Sequence, residues 1–230
     1  MLEGGRRMKK SLCCQAGLKF FFGVLMVGGL LFLAAGSFHY WQGWLLMAIL
    51  FIPMLGIGLL LMVKNPDLPR NRLNARETQV KQRWLVRLSG LMFTLGFVVA
   101  GLTYRWHGEM LPNWVSWMGA VLFLFAYGMY AEVLRENRYV SRVVEVQAEQ
   151  EVIDHGLYGM VRHPMYSATL LLFLSIPIIL GSPISFVIFL MYPFILVMRI
   201  QNEEQVLEKE LTGYSEYKKR VRYKLILLIW

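Results

Sequence analysis

Apolar and polar residues along this chain separate into blocks instead of alternating. Four nearly uninterrupted apolar windows run from Leu18 to Phe38, Trp44 to Val63, Leu85 to Tyr104 and Trp114 to Leu134. Each reaches the roughly 20 residues that a helix needs to cross the hydrocarbon core of a bilayer. Two shorter apolar runs follow, Ser167 to Leu180 and Ile184 to Met198, separated by Gly181, Ser182 and Pro183. Each is short for a full span, and the turn between them predicts a tight helical hairpin, tilted or partly shielded by the other helices. The pattern predicts an all-α integral membrane protein: four transmembrane helices plus a C-terminal transmembrane helical hairpin, with cytoplasmic segments on either side of that hairpin.

The connecting segments set the expected topology. Arg6, Arg7, Lys9, Lys10 and Lys19 precede or open the first window, and Lys64, Arg70, Arg72, Arg76, Lys81 and Arg83 lie between the second and third. The loops around His39 and His107 hold only Arg105. Basic residues mark cytoplasmic loops, so both termini are expected in the cytoplasm. "SFHYWQGW" supplies Tyr and Trp for the opposite interface, and "KNPDLPRNRLNARETQVKQRW" is expected to lie along the membrane surface. Pro53, Gly56 and Gly58 are expected to bend the second span or admit a neighbouring helix. With no repeat or low-complexity linker, one domain is expected over 1–230. It comprises a four-span part (1–134) and a C-terminal part (135–230) that contains the hairpin (167–199).

Composition agrees with the blocks. The chain is 57% hydrophobic and 17% charged, against about a quarter charged for a soluble domain. A net charge of +9 would suit nucleic acid, but its loop-wise distribution fits topology and anionic headgroups, and no nucleic-acid partner is expected. Cys13 and Cys14 are adjacent and have no other Cys to pair with, which excludes a disulfide framework or a Cys-based metal site. The basic, then apolar amino end mimics a signal peptide, but its apolar run is long and lacks a small-residue cleavage site, so a retained first span is expected.

Two polar clusters flank the hairpin: Asp154, His155, Tyr158, Arg162, His163 and Tyr166 before it, and Arg199, Asn202, Glu203 and Glu204 after it. A helical hairpin returns its second end beside its first, so the clusters should meet. Arg199 and Glu203 are one turn apart and share a helix face. Ionisable groups this close to hydrocarbon are costly and mark functional sites when they occur. Interfacial anchoring explains any one of them, but two clusters forced together favour a site. There is no phosphate-binding glycine loop, no nucleophile elbow and no ligand set at zinc spacing for His155 and His163. Arg, Glu, His and Tyr together suit a polar cofactor with a carboxylate, an amine and ribose hydroxyls. The adjoining hairpin suits a hydrophobic substrate arriving from lipid.

"GLYGMVRHPMY", the apolar hairpin and "RIQNEEQVLEKELTGYSEYKKRV" resemble the isoprenylcysteine carboxyl methyltransferase family and its bacterial members, whose C-terminal signature phospholipid methyltransferases share. The resemblance covers Gln147 to Val221 plus the multi-span layout upstream. It implies S-adenosylmethionine as cofactor, held by the cytoplasmic C-terminal segments. Carried over by position, Gln150, Glu151, Val152, Ile153, Tyr158, His163, Pro164, Met165, Tyr166 and Glu203 would bind the cofactor, and no metal is implied. Arg199 would face the methyl acceptor, and Glu204 or His163 would serve as base for an amine acceptor. The implied function is methyl transfer to a lipophilic acceptor, foremost a carboxylate. The expected partners are that substrate and membrane lipid, with oligomeric state left open, in the inner or plasma membrane of a bacterium or archaeon. Three alternatives remain: a phospholipid or lipid-amine N-methyltransferase; an NADPH-dependent sterol-type reductase, because such reductases share "RHPxY"; and a non-catalytic membrane protein.

Overall fold

The computed structural model describes residues 2–64, 80–106, 110–137, 139–140, 146–147 and 149–230. Among these the chain forms helices and no strand. They are α1 (Leu2–Ala35), α2 (Trp41–Lys64), α3 (Val80–Arg105), α4 (Asn113–Glu136), α5 (Leu157–Met160), α6 (Pro164–Ile179), α7 (Pro183–Phe189), α8 (Tyr192–Glu210) and α9 (Tyr214–Arg220). The expected surface loop falls mostly on residues 65–79, and part of the Val-rich stretch on 141–145, outside the described residues.

Among the described residues, five segments are long and apolar enough to cross a membrane: Gln15–Ala35, Trp41–Leu59, Gln82–Arg105, Asn113–Glu136 and Pro183–Glu210. Helices satisfy their own backbone polar groups, which lipid cannot do. Large side chains such as Phe22, Leu33, Val121, Phe125, Val187 and Phe194 point outward and are exposed. A water-facing surface this apolar would aggregate, whereas lipid accepts it.

The second arm of the hairpin extends beyond its apolar run. The helix continues through the amphipathic segment after Met198 to Glu210, broken only at Leu190 and Met191. Pro193 causes the break, because it has no N–H to give to the preceding turn. The arm is therefore long enough for a full span, in two pieces, α7 and α8, while α6 has 16 residues. Polar contacts tie the turn to the frame. Tyr40 Oη donates to Leu180 O (2.7 Å), Leu111 N to Gly181 O (2.8 Å) and Ser185 Oγ to Gly96 O (2.9 Å), and Thr103 Oγ1 pairs with Ser182 Oγ at 3.0 Å. Such bonds satisfy groups that a turn would otherwise bury unpaired.

α1 packs on α2 and α3, α3 on α7 and α8, and α4 on α6. Phe93 meets Phe173 and Phe189 edge-on, with centroids 4.7 and 5.3 Å apart. Close helix approach occurs where the sequence reading did not put it. Nothing lies within 4 Å of a Cβ built at Gly56 or Gly58, whereas one at Gly119 would sit 2.9 Å from Ile179 N and from Ile178 Cγ2. Gly119 thus lets α4 lie against the backbone of α6. Gly119→Val is expected to push the two apart and destabilise the protein by about 1–3 kcal/mol, read as a lower Tm in detergent.

Candidate active site

The site is assembled at the start of α6, where Arg162 and His163 precede Pro164. Pro is suited to the first helical position because its missing N–H would have had no helical partner there. The backbone N–H groups of Arg162 and His163 are taken by the tail instead, donating to Tyr223 O and Lys224 O at 2.9 Å each. Ser167 Oγ bonds Leu225 O in the same clasp.

Upstream, the chain turns at Gly156, whose φ is +56°. A Cβ there would collide with the Glu136 carboxylate, 1.7 Å from Oε1, and that carboxylate accepts the Leu157 N–H at 3.0 and 3.2 Å. Glycine is needed at this turn for both reasons. The turn presents Tyr158, whose hydroxyl accepts from Asn137 Nδ2 (3.0 Å) and whose carbonyl accepts from Tyr217 Oη (2.7 Å). Burial pushes the Tyr158 phenol well above its usual pKa, against the opposing hydrogen bond from Asn137. It stays neutral.

The two polar clusters meet as the hairpin argument requires. Tyr166 Oη donates to Glu203 Oε2 and accepts from Arg199 Nε at 2.9 Å, so the phenol joins the guanidinium to the carboxylate one turn along α8. His163 lies between the two glutamates, with Nε2 3.3 Å from Glu204 Oε1 and Nδ1 3.9 Å from Glu203 Oε1. Glu204 is 5% exposed. Its Oε1 also accepts from Arg162 Nε at 2.8 Å, and Lys224 Nζ is 3.2 Å from its Oε2. Arg162 Nη1 reaches the carbonyls of Val221 (2.7 Å) and Arg222 (2.9 Å).

A cavity of about 110 Å³ opens among these groups. Gln150, Glu151, Val152, Ile153, Tyr158, His163, Met165, Tyr166, Arg199 and Glu203 all line it. Two of the residues given a cofactor or catalytic role do not: Pro164, which only starts α6, and Glu204, which lies behind the wall with its oxygens held by Arg162, His163 and Lys224. Asp154 and His155, from the first cluster, are exposed and stay outside the lining; Asp154 pairs with Arg220. The lining also includes residues that sequence reasoning missed: Asn137, Tyr139, Val140, Leu207, Leu211, Tyr214 and Tyr217. The two Tyr of "GYSEY" offered a signal, since paired aromatics in a polar segment need something to cover.

A second cavity, of about 300 Å³, lies between α3, α4, α6 and α8 and is mostly apolar. Leu85, Val86, Phe173, Ile195 and Leu196 line it, with Ser89, Tyr130, Thr169 and Tyr192 as its polar groups. Met165, Tyr166 and Arg199 line both cavities. One wall therefore has a polar cavity on one side and an apolar one on the other, with a guanidinium at the boundary.

Residues 114–212 match the family model of phospholipid methyltransferases. No curated protein matches the chain by sequence. Among solved structures, the fold is similar to that of a eukaryotic intramembrane Ras methyltransferase, isoprenylcysteine carboxyl methyltransferase (ICMT), with a TM-score of 0.54 and 18% identity. That likeness covers 78% of this chain and 63% of the other, so the chain spans a little under two thirds of that protein's length.

Proposed function

We propose that the chain is a membrane methyltransferase of the phospholipid and isoprenylcysteine carboxyl methyltransferase type, a reading supported by the family model over residues 114–212 and by the likeness of the fold, and that it transfers a methyl group from S-adenosylmethionine to the carboxylate of a lipophilic acceptor. The observation that carries this reading is the shared wall: Tyr166 and Arg199 line the polar cavity and the apolar one together. In this reading 1–230 is one domain in which 135–230 supplies the polar cavity and both parts line the apolar one.

The polar cavity has the chemistry that the cofactor needs. Gln150 and Glu151 can take ribose hydroxyls or adenine nitrogens, Glu203 can take an ammonium, and the Tyr rings can cover an aromatic base. When bound there, the cofactor supplies a methyl group already activated by a sulfonium. The protein's share is to place the acceptor. Arg199 is held by Tyr166 at 2.9 Å, and its planar guanidinium matches a carboxylate through paired hydrogen bonds. Leu85, Phe173 and Leu196 keep water from the acceptor on the apolar side. Such positioning is worth up to about 7–11 kcal/mol of a two-reactant barrier. A carboxylate carries no proton to remove, so no base is required. Glu204 then serves as the anchor of the tail.

A second reading, N-methylation of a lipid amine, is favoured by the family matched, which is named for phospholipids. A guanidinium at the acceptor position argues against it, because it repels an ammonium. Methyl-labelled cofactor given to the protein in native-lipid nanodiscs separates the two. A methyl ester releases its label as volatile methanol in mild alkali, and this is the expected result. Label that survives alkali would assign an amine acceptor and sink the carboxylate reading.

A further inference from the structure

Tyr214 opens α9 immediately after Gly213, which takes the left-handed conformation at φ +86°. Its ring is packed with Leu211, Tyr217 and Val221 against Val152 and Leu207. The residue is 3% exposed and lines the polar cavity. Among the described residues its hydroxyl nevertheless has no hydrogen-bond partner. A buried hydroxyl left unpaired costs free energy, and native proteins pair nearly all such groups. The neighbouring Tyr217 shows the usual solution, with its hydroxyl donating to Tyr158 O at 2.7 Å.

The surroundings define the orphan's role. Burial first, then the Glu204 charge, push the Tyr214 phenol well above its usual pKa, with Arg162 acting the other way. It therefore keeps its proton and is ready to donate. Its ring is fixed by packing, so the hydroxyl is held in place before any ligand arrives, as a preorganised contact requires.

We infer that Tyr214 is a binding residue for the occupant of the polar cavity: its hydroxyl donates a hydrogen bond to a polar atom of the adenosyl cofactor. This rests on the cofactor reading above and adds a residue that the sequence comparison with the family did not single out. The opposite situations of the two Tyr hydroxyls make the inference testable without turnover.

The test measures unfolding temperature and S-adenosylhomocysteine affinity for the purified wild type, Tyr214→Phe and Tyr217→Phe. Tyr214→Phe removes a hydroxyl with no partner among the described residues, so the Tm of the ligand-free protein is expected to stay level or rise. The dissociation constant should increase by about tenfold, and stabilisation by a fixed ligand concentration should shrink accordingly. Tyr217→Phe, which loses the bond to Tyr158 O, should instead lower the ligand-free Tm. An unchanged affinity in Tyr214→Phe overturns the inference whatever its Tm, and so does a fall in its ligand-free Tm, which would reveal an internal partner. Absence of binding by the wild type overturns the cofactor reading itself, and this inference with it.

Discussion

Replacing Arg199 with Ala is expected to lower turnover by about 10²–10³-fold, the usual scale for removing a preorganised donor aimed at a reacting oxygen. S-adenosylhomocysteine affinity should stay within about threefold of wild type, since the change removes no more than a modest contact at the cavity's edge. The reason lies in the order of the contacts. Arg199 Nε donates to Tyr166 Oη, which itself donates to Glu203. Removing the guanidinium leaves the Tyr166–Glu203 bond in place, with His163 Nδ1 still 3.9 Å from the carboxylate. The polar cavity keeps its shape while the apolar one loses the group that orients the acceptor. Arg199→Lys should recover turnover only in part, because an ammonium restores the charge without the planar pair of donors. Steady-state kinetics beside calorimetric titration separates the effects. An equal loss of affinity and turnover would place Arg199 in the cofactor wall and remove it from the acceptor side.

The spans were legible because lipid imposes a simple rule, a long apolar block closed by polar residues, and the four windows read from the sequence overlie α1 to α4. The meeting of the two polar clusters was legible too, since a turn at Gly181 leaves the start of α6 and the end of α8 no other arrangement. The second arm was legible in part: hydropathy falls after Met198, yet the residues from Arg199 still read as an amphipathic helix that turns at Gly213, and the helix does continue to Glu210. Its break at Leu190 and Met191 was not. Nor could Gly119 be told from Gly56, because which glycine faces a neighbour depends on helix rotation about its axis. The tail was the least legible part. Val221 to Leu225 contribute backbone carbonyls to Arg162, His163 and Ser167, and a carbonyl is the same in every residue, so no side chain advertises it.

Glu204 stands behind the cavity wall beside that tail, and Glu204→Gln separates a base from a structural anchor sharply. As a base, the carboxylate would be dispensable for folding, and the variant would lose turnover at an unchanged Tm. The geometry predicts the reverse. Glu204 is 5% exposed and faces Arg162, His163 and Lys224. An amide in its place has one acceptor oxygen and one donor nitrogen, so at least one cation would meet a donor. Leaving buried charges uncompensated costs about 3–5 kcal/mol. At about 2–4 °C per kcal/mol for a protein of this size, Tm in detergent should fall by roughly 6–20 °C. Lys224→Met should cost much less, because the Lys224 side chain is 24% exposed, and exposed charges contribute little, while Arg162 remains on the other oxygen. Cofactor affinity in Glu204→Gln should fall together with Tm, since Arg162 and His163 belong to the cavity wall and the tail that clasps them is released. A variant that keeps its Tm but loses turnover would restore the carboxylate to the chemistry and require an amine acceptor.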